Sequence, residues 1–159
     1  MSSLWSSAPK PLQLWMRSRL TGKYLNKTLP LTFKTAQEIK ELTGLTITHH
    51  DIKNFPQILR RFSAYQDTIY RGVFIDDDIY QHLMSHGHIM THIYLAFTKN
   101  FHVATKFGNQ IVLSVKCMRT FDISIHSQES EVILDKGISL SLLNVGMSHG
   151  IRLIELFVN

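Results

Sequence analysis

The stretch Ser127–Gly137, SQESEVILDKG, sets the problem of this chain. Two carboxylates, Glu129 and Glu131, stand two residues apart at the mouth of the apolar run EVIL. In a strand, residues i and i+2 point to the same face, so a strand running through both would aim them the same way. Neighbouring acids repel, which makes the pair a poor choice for stability alone. The commonest alternative is two solvated residues on a loop, and the pair by itself does not decide between them.

Around this run the chain divides by texture. Residues 67–159 read as short apolar strands: TIYRGVF (68–74), IYLAF (93–97), QIVLSVKC (110–117), EVIL (131–134), ISLSLLNV (138–145) and IRLIELFV (151–158). Two short helices interrupt them, DDDIYQHLMSHG, acidic at its start as the macrodipole prefers, and NFHVATKFG, closed by Gly108. Residues 1–66 read as helical. PLQLWMRSRL places Leu12, Trp15, Met16 and Leu20 on one face; TAQEIKELTG offers a capping box of Thr35 with Glu38 and a stop at Gly44; a third helix begins near Asn54 and Pro56. APKP and NKTLP read as turns. The expectation is one α+β domain over 1–159, a basic helical part (1–66) packed on a mainly antiparallel sheet core (67–159).

Composition is that of a globular protein: 159 residues, 44% hydrophobic, 18% charged and 10% aromatic. No apolar run is long enough to span a bilayer, and MSSLWSSAPK lacks the pattern of a signal peptide. A lone cysteine, Cys117, excludes an internal disulfide and fits a reducing compartment, so the expectation is a cytoplasmic location. The net charge of +5 is uneven. Residues 1–66 hold ten Lys/Arg against three acids, a net of +7, while residues 67–159 carry −2. A basic surface of this kind draws in polyanions such as nucleic acid, or merely solvates helix faces.

Three short features recur in order along the strand region: YRG at Tyr70–Gly72, LAFTKNFHVATKFG at Leu95–Gly108, and ESEVILDKG at Glu129–Gly137. Taken together they resemble the Arg-Ser-Glu class of the ADP-ribosyltransferase superfamily. Its pattern is an aromatic-Arg-Gly strand, a Ser-Thr-Ser strand leading into a helix of the type A-x-x-F, and Glu-x-Glu or Gln-x-Glu before an apolar strand. The resemblance covers residues 68–159 and implies the ADP-ribosyltransferase fold, with NAD as co-substrate.

The resemblance also implies roles. Arg71, between Tyr70 and Gly72, would hold the diphosphate and the nicotinamide-side ribose. Glu131 would be the central catalytic acid at that ribose, and Glu129 would face the acceptor, a glutamate there accompanying arginine acceptors. Where the pattern has Ser-Thr-Ser this chain has Ala96-Phe97-Thr98. Ala96 cannot position the catalytic glutamate, and the Thr98 hydroxyl is the available substitute. Tyr70 and Phe101 fit stacking on NAD and fit core packing equally well.

The chemistry agrees with these roles. Loss of nicotinamide leaves an oxocarbenium-like ribose, which a fixed carboxylate stabilises more than the ground state. An arginine fork suits a diphosphate, and a second carboxylate can take a proton from the nucleophile. The expected activity is mono-ADP-ribosyl transfer to a protein arginine or to RNA or DNA, of the kind found in phage modifying enzymes, toxin–antitoxin or phage-defence effectors; a toxin of that kind implies a neutralising antitoxin partner. NAD glycohydrolase activity and an inactive binding module are the alternatives. The histidines His82, His86, His88 and His92 match no trusted ligand spacing, so no metal is expected. His126, near the glutamate pair, reads as an exposed loop residue, and Trp5 and Trp15 as packing residues.

Overall fold

The computed structural model describes residues 7–159; Trp5 and most of the N-terminal decapeptide lie outside the described residues. The chain divides into two compact units. One comprises the residues up to Phe62 with Ile125–Ser127, the other Ser63–Ser124 with Gln128–Asn159.

The first unit is helical: α1 (Lys10–Arg17), α2 (Arg19–Leu25), α3 (Phe33–Thr43) and α4 (His49–Leu59). The stretch expected as one helix over PLQLWMRSRL breaks at Ser18, whose extended backbone (φ −153°, ψ 137°) ends α1 and whose hydroxyl caps α2 at Leu20 N–H. Helix α3 starts earlier than expected, because Thr32 and Thr35 form the capping box rather than Thr35 and Glu38. Gly44 closes it in the left-handed region (φ 75°), as expected. Helix α4 is likewise longer. Thr48 and Asp51 cap it, and Pro56 lies inside it instead of opening it.

Leu12, Leu14, Leu25, Ile39, Phe55 and Leu59 are fully buried together, and Trp15 stacks on Phe55 with ring centroids 5.2 Å apart. Burying each such side chain contributes roughly 1.5–3 kcal/mol, which is what holds helices this short in place. Asp51 is buried too, its carboxylate accepting from Thr48 and pairing with Lys10 at 3.0 Å.

The second unit holds eight strands: β1 (Thr68–Val73), β2 (His88–Met90), β3 (Leu95–Thr98), β4 (Ile111–Lys116), β5 (Thr120–Asp122), β6 (Glu131–Leu134), β7 (Ser139–Ser148) and β8 (Ile151–Val158). Their order is β2-β7-β8-β4-β1-β3-β6-β5, antiparallel throughout except for the β4–β8 pair. Strands β1 and β3 share the single register pair Tyr70↔Thr98, so the sheet is split there into a five-stranded and a three-stranded part. The core lies on one face of each part, with Ile69, Val73, Leu113 and Ile154 from the first and Leu95, Phe97, Val132 and Leu134 from the second. Phe97 is buried as its alternation with Ala96 requires.

Helix α5 (Asp78–His86) is capped by Asp77 and closed by Gly87, and α6 (Phe101–Thr105) is capped by Asn100. The α+β architecture with a split, mainly antiparallel sheet is the one the sequence led us to expect. Among the described residues no helix is long and apolar enough to cross a membrane.

Candidate active site

The split in the sheet brings the three sequence features together. Tyr70 on β1, Thr98 on β3 and Glu131 on β6 are direct register partners, Tyr70↔Thr98 and Thr98↔Glu131, and so form one row across three strands. Directly opposed residues of antiparallel strands share a face with Cβ atoms roughly 4.5–5.5 Å apart. The hydroxyl-bearing residue opposite Glu131 is therefore Thr98. Ala96 faces Ile133 two pairs further along, so the missing serine hydroxyl at Ala96 is not a gap directly opposite the carboxylate.

Arg71 lies between Tyr70 and Gly72 and, by alternation, on the face that carries Ile69 and Val73. Its half-buried side chain reaches across to β3, where Nη1 donates to the carbonyl of Ala96 at 2.9 Å. The guanidinium and Glu131 thus both attach to β3, two residues or about 6.6 Å of strand apart. Gly72 faces α6. A Cβ there would lie 2.1 Å from the Ala104 carbonyl oxygen and 2.6 Å from that of Phe107, so the helix backbone rests directly on β1. Phe101, at the start of α6, meets the Tyr70 ring edge-on with centroids 5.6 Å apart. That contact is the packing alternative for these two aromatics.

The glutamate pair departs from the strand reading. Strand β6 begins at Glu131, while Glu129 stands exposed in a turn and Ser130 between them has φ 53°. Extended alternation ends at Glu131, so the argument that both carboxylates share a strand face does not hold. The turn is secured by β3: the Thr98 hydroxyl donates to the Glu129 carbonyl at 2.6 Å, and Lys99 N–H donates to that of Ser130 at 3.0 Å. Thr98 also accepts from Asn100 N–H at 3.1 Å, joining the turn to the start of α6.

Two charged residues that the motif comparison did not single out flank this turn. Lys99 pairs with Asp122 at 2.8 Å, and both side chains are partly buried. Burial pushes the Asp122 carboxyl up, but hydrogen bonds from Lys99 and Ser124 outweigh it and hold the group below the usual carboxylate value. The spacing Asp122-x-Ser124, an Asx turn, was the available sequence signal.

The histidines do not gather. His82 and His86 stack with ring centroids 4.3 Å apart on α5, and among the described residues no group of three or more His, Cys, Asp or Glu is placed to hold a metal ion. His126 packs edge-on against Phe62 in the helical unit.

By sequence the chain matches no protein-family model and none of the curated proteins. Its fold, in contrast, matches solved structures along most of its length. Exoenzyme S from Pseudomonas aeruginosa, solved with human 14-3-3 protein beta and carba-NAD, superposes with a TM-score of 0.60 at 16% identity, over 92% of this chain and 70% of that one. The ADP-ribosyltransferase HopU1 of Pseudomonas syringae pv. Tomato gives 0.55 at 23% identity, over 89% of this chain and 65% of that one. Vis toxin, an ADP-ribosyltransferase from Vibrio splendidus, gives 0.60 at 14% identity, over 99% and 77%. Likeness of backbone with so little shared sequence is evidence of architecture. The chain therefore has the fold of these solved ADP-ribosyltransferases.

Proposed function

We propose that this protein is a mono-ADP-ribosyltransferase that takes ADP-ribose from NAD and attaches it to a macromolecular acceptor, with arginine side chains as the preferred class. The observation that carries the reading is the row Tyr70–Thr98–Glu131, with the Arg71 guanidinium anchored on the same strand, β3. In this reading Arg71, with Tyr70 and Gly72 beside it, binds the NAD diphosphate, its fork always charged and fitted to phosphate oxygens. Thr98 and Phe101 complete the NAD side. Exoenzyme S has been solved with carba-NAD, which supports NAD as the donor.

The bond from ribose C1′ to the nicotinamide nitrogen breaks, and its electron pair leaves with nicotinamide, which departs neutral. Glu131 stabilises the positive charge left on the ribose. An acceptor nitrogen then forms the new bond to C1′ and gives up one proton to Glu129, which passes it to solvent. With water as the nucleophile the same steps yield free ADP-ribose and one proton, which is NAD hydrolysis. Agmatine, with which Vis has also been solved, carries a guanidinium group and supports the arginine assignment alongside Glu129.

A second reading, transfer to RNA or DNA, draws on the helical unit. Eight of its Lys/Arg side chains are exposed (Arg19, Lys23, Lys27, Lys34, Lys40, Lys53, Arg60 and Arg61) against the exposed acids Glu38 and Glu41, Asp51 being buried. Either acceptor suits an effector or toxin acting on a cellular target. The test is label transfer from radiolabelled NAD in a bacterial lysate, with the Glu131→Ala variant as control and separate digestion by protease and nuclease. Protease-sensitive label from the wild type alone supports the arginine reading. Nuclease-sensitive label replaces it with the second reading. Free ADP-ribose without transfer makes the chain a glycohydrolase, and intact NAD with no label overturns the enzyme reading.

A further inference from the structure

The turn that carries Glu129 is gripped at both ends by one small polar network. The loop 123–130 leaves β5 at Asp122 and enters β6 at Glu131. At its start, Asp122 Oδ1 accepts from Ser124 N–H at 3.0 Å and from the Ser124 hydroxyl at 2.6 Å. At its end, Glu129 and Ser130 present their carbonyls to Thr98 Oγ1 and Lys99 N–H. Asp122 Oδ2 lies 2.8 Å from Lys99 Nζ, so a single ion pair ties the loop's start to the strand that holds its end. The Lys99 ammonium also sits 4.6 Å from the centre of the Tyr65 ring. With side chains only 28% and 23% exposed, this pair is far less screened than a surface bridge.

Something has to hold this turn. Ser130 is in the left-handed region at φ 53°, a conformation that costs a residue other than glycine roughly 1–2 kcal/mol and persists where its surroundings impose it. That one dihedral decides where the Glu129 side chain stands relative to Glu131.

We propose that Lys99 and Asp122 are a positioning pair for the acceptor step, closing the loop 123–130 onto the end of β3 so that Glu129 is held for ADP-ribosyl transfer. The inference rests on the reading of Glu131 and Glu129 given above. Hydrolysis needs only water at C1′, whereas transfer needs an acceptor nitrogen oriented against Glu129. Loss of the pair therefore lowers transfer and leaves hydrolysis in place.

The experiment follows both reactions in one assay, with labelled NAD, agmatine as acceptor, and the full-length wild type, Asp122→Asn, Lys99→Met and Lys99→Arg. Asn at 122 keeps an oxygen for Ser124 and removes the charge. The expected result is a loss of at least tenfold in the transfer-to-hydrolysis ratio for Asp122→Asn and Lys99→Met, with hydrolysis within about twofold of wild type and the ratio restored by Lys99→Arg. Hydrogen exchange at Lys99 N–H, which reports on its bond to Ser130, is expected to quicken in Asp122→Asn. An unchanged ratio, or a parallel fall of both reactions, overturns the proposal. A wild type that does neither reaction overturns the site reading and the proposal with it, and is told apart from failure of the proposal alone, in which wild type and variants transfer equally.

Discussion

Glu131 heads a strand whose next three residues, Val132, Ile133 and Leu134, are fully buried, so its backbone is fixed by the core behind it. A carboxylate held this way costs little reorganisation when positive charge develops in front of it. Replacing it with Gln is expected to lower transfer by about 10²–10³-fold, the scale of losing one preorganised electrostatic group, with NAD affinity changed much less; stopped-time label transfer and NAD titration check this. Gly72→Ala is expected to destabilise the fold by roughly 1–3 kcal/mol or more, because the new methyl would overlap the Ala104 and Phe107 carbonyls and push α6 from β1; thermal unfolding measures it. Asp122 gives a pH signature. Its folded value lies below the ordinary one of about 3.9, so the ionised pair adds stability above that pH, and the stability is lost as pH falls through the folded value. Stability of Asp122→Asn measured from pH 6 to pH 3 is expected to fall less steeply than that of the wild type.

At the scale of elements, what the sequence made legible follows from how locally each signal is encoded. Strands β1, β4, β6 and β8 declare themselves by runs of β-branched and apolar residues, and all four appear close to where the pattern puts them. Strands β2 and β5 do not, since three residues such as HIM or TFD carry no periodicity and exist only through their partners β7 and β6. The helix ends misled where two caps competed: Thr32 and Thr48 take the N-cap positions, and the more familiar Thr35–Glu38 spacing loses because Thr35 already serves as N3 of Thr32's box. Removing the Thr48 hydroxyl (Thr48→Ala) is expected to cost about 1 kcal/mol, visible in denaturant unfolding. In the candidate site, Arg71 and Glu131 could be named from motif spacing, and Thr98 as a substitute hydroxyl. Whether Glu129 continues the strand or stands on a loop was left open by the pair itself, because nothing in Glu-Ser-Glu announces a left-handed serine. Lys99 and Asp122, separated by 23 residues in the chain, meet only because β3, β6 and β5 are neighbours in that order, and strand order is not written in either residue's surroundings.

At the scale of the molecule, charge and chemistry are assigned to different units. The residues proposed to handle NAD, from Tyr70 to Glu131, belong to the sheet unit, whereas eight exposed Lys/Arg side chains belong to the helical unit, against five in the sheet unit (Lys106, Lys116, Arg119, Lys136 and Arg152). On α2, Arg19 and Lys23 stand one turn apart and Lys27 follows in the turn that closes the helix. Like charges at i and i+4 weaken a helix, so stability does not explain their placement. The second reading proposed above, a polyanionic target, accounts for it and predicts a division that salt can expose. Phosphate contacts release counterions, so three such contacts lower affinity by about 40-fold between roughly 50 and 200 mM salt. Agmatine, small and cationic, gains nothing from a basic surface. Raising salt over this range is therefore expected to depress transfer to the macromolecular target by one to two orders of magnitude while transfer to agmatine stays within about twofold. Lys23→Glu is expected to reduce target transfer at low salt and to flatten its salt dependence, again without effect on agmatine. Equal salt sensitivity for both acceptors would place the effect in the NAD site, around Arg71, and remove the helical unit from target recognition.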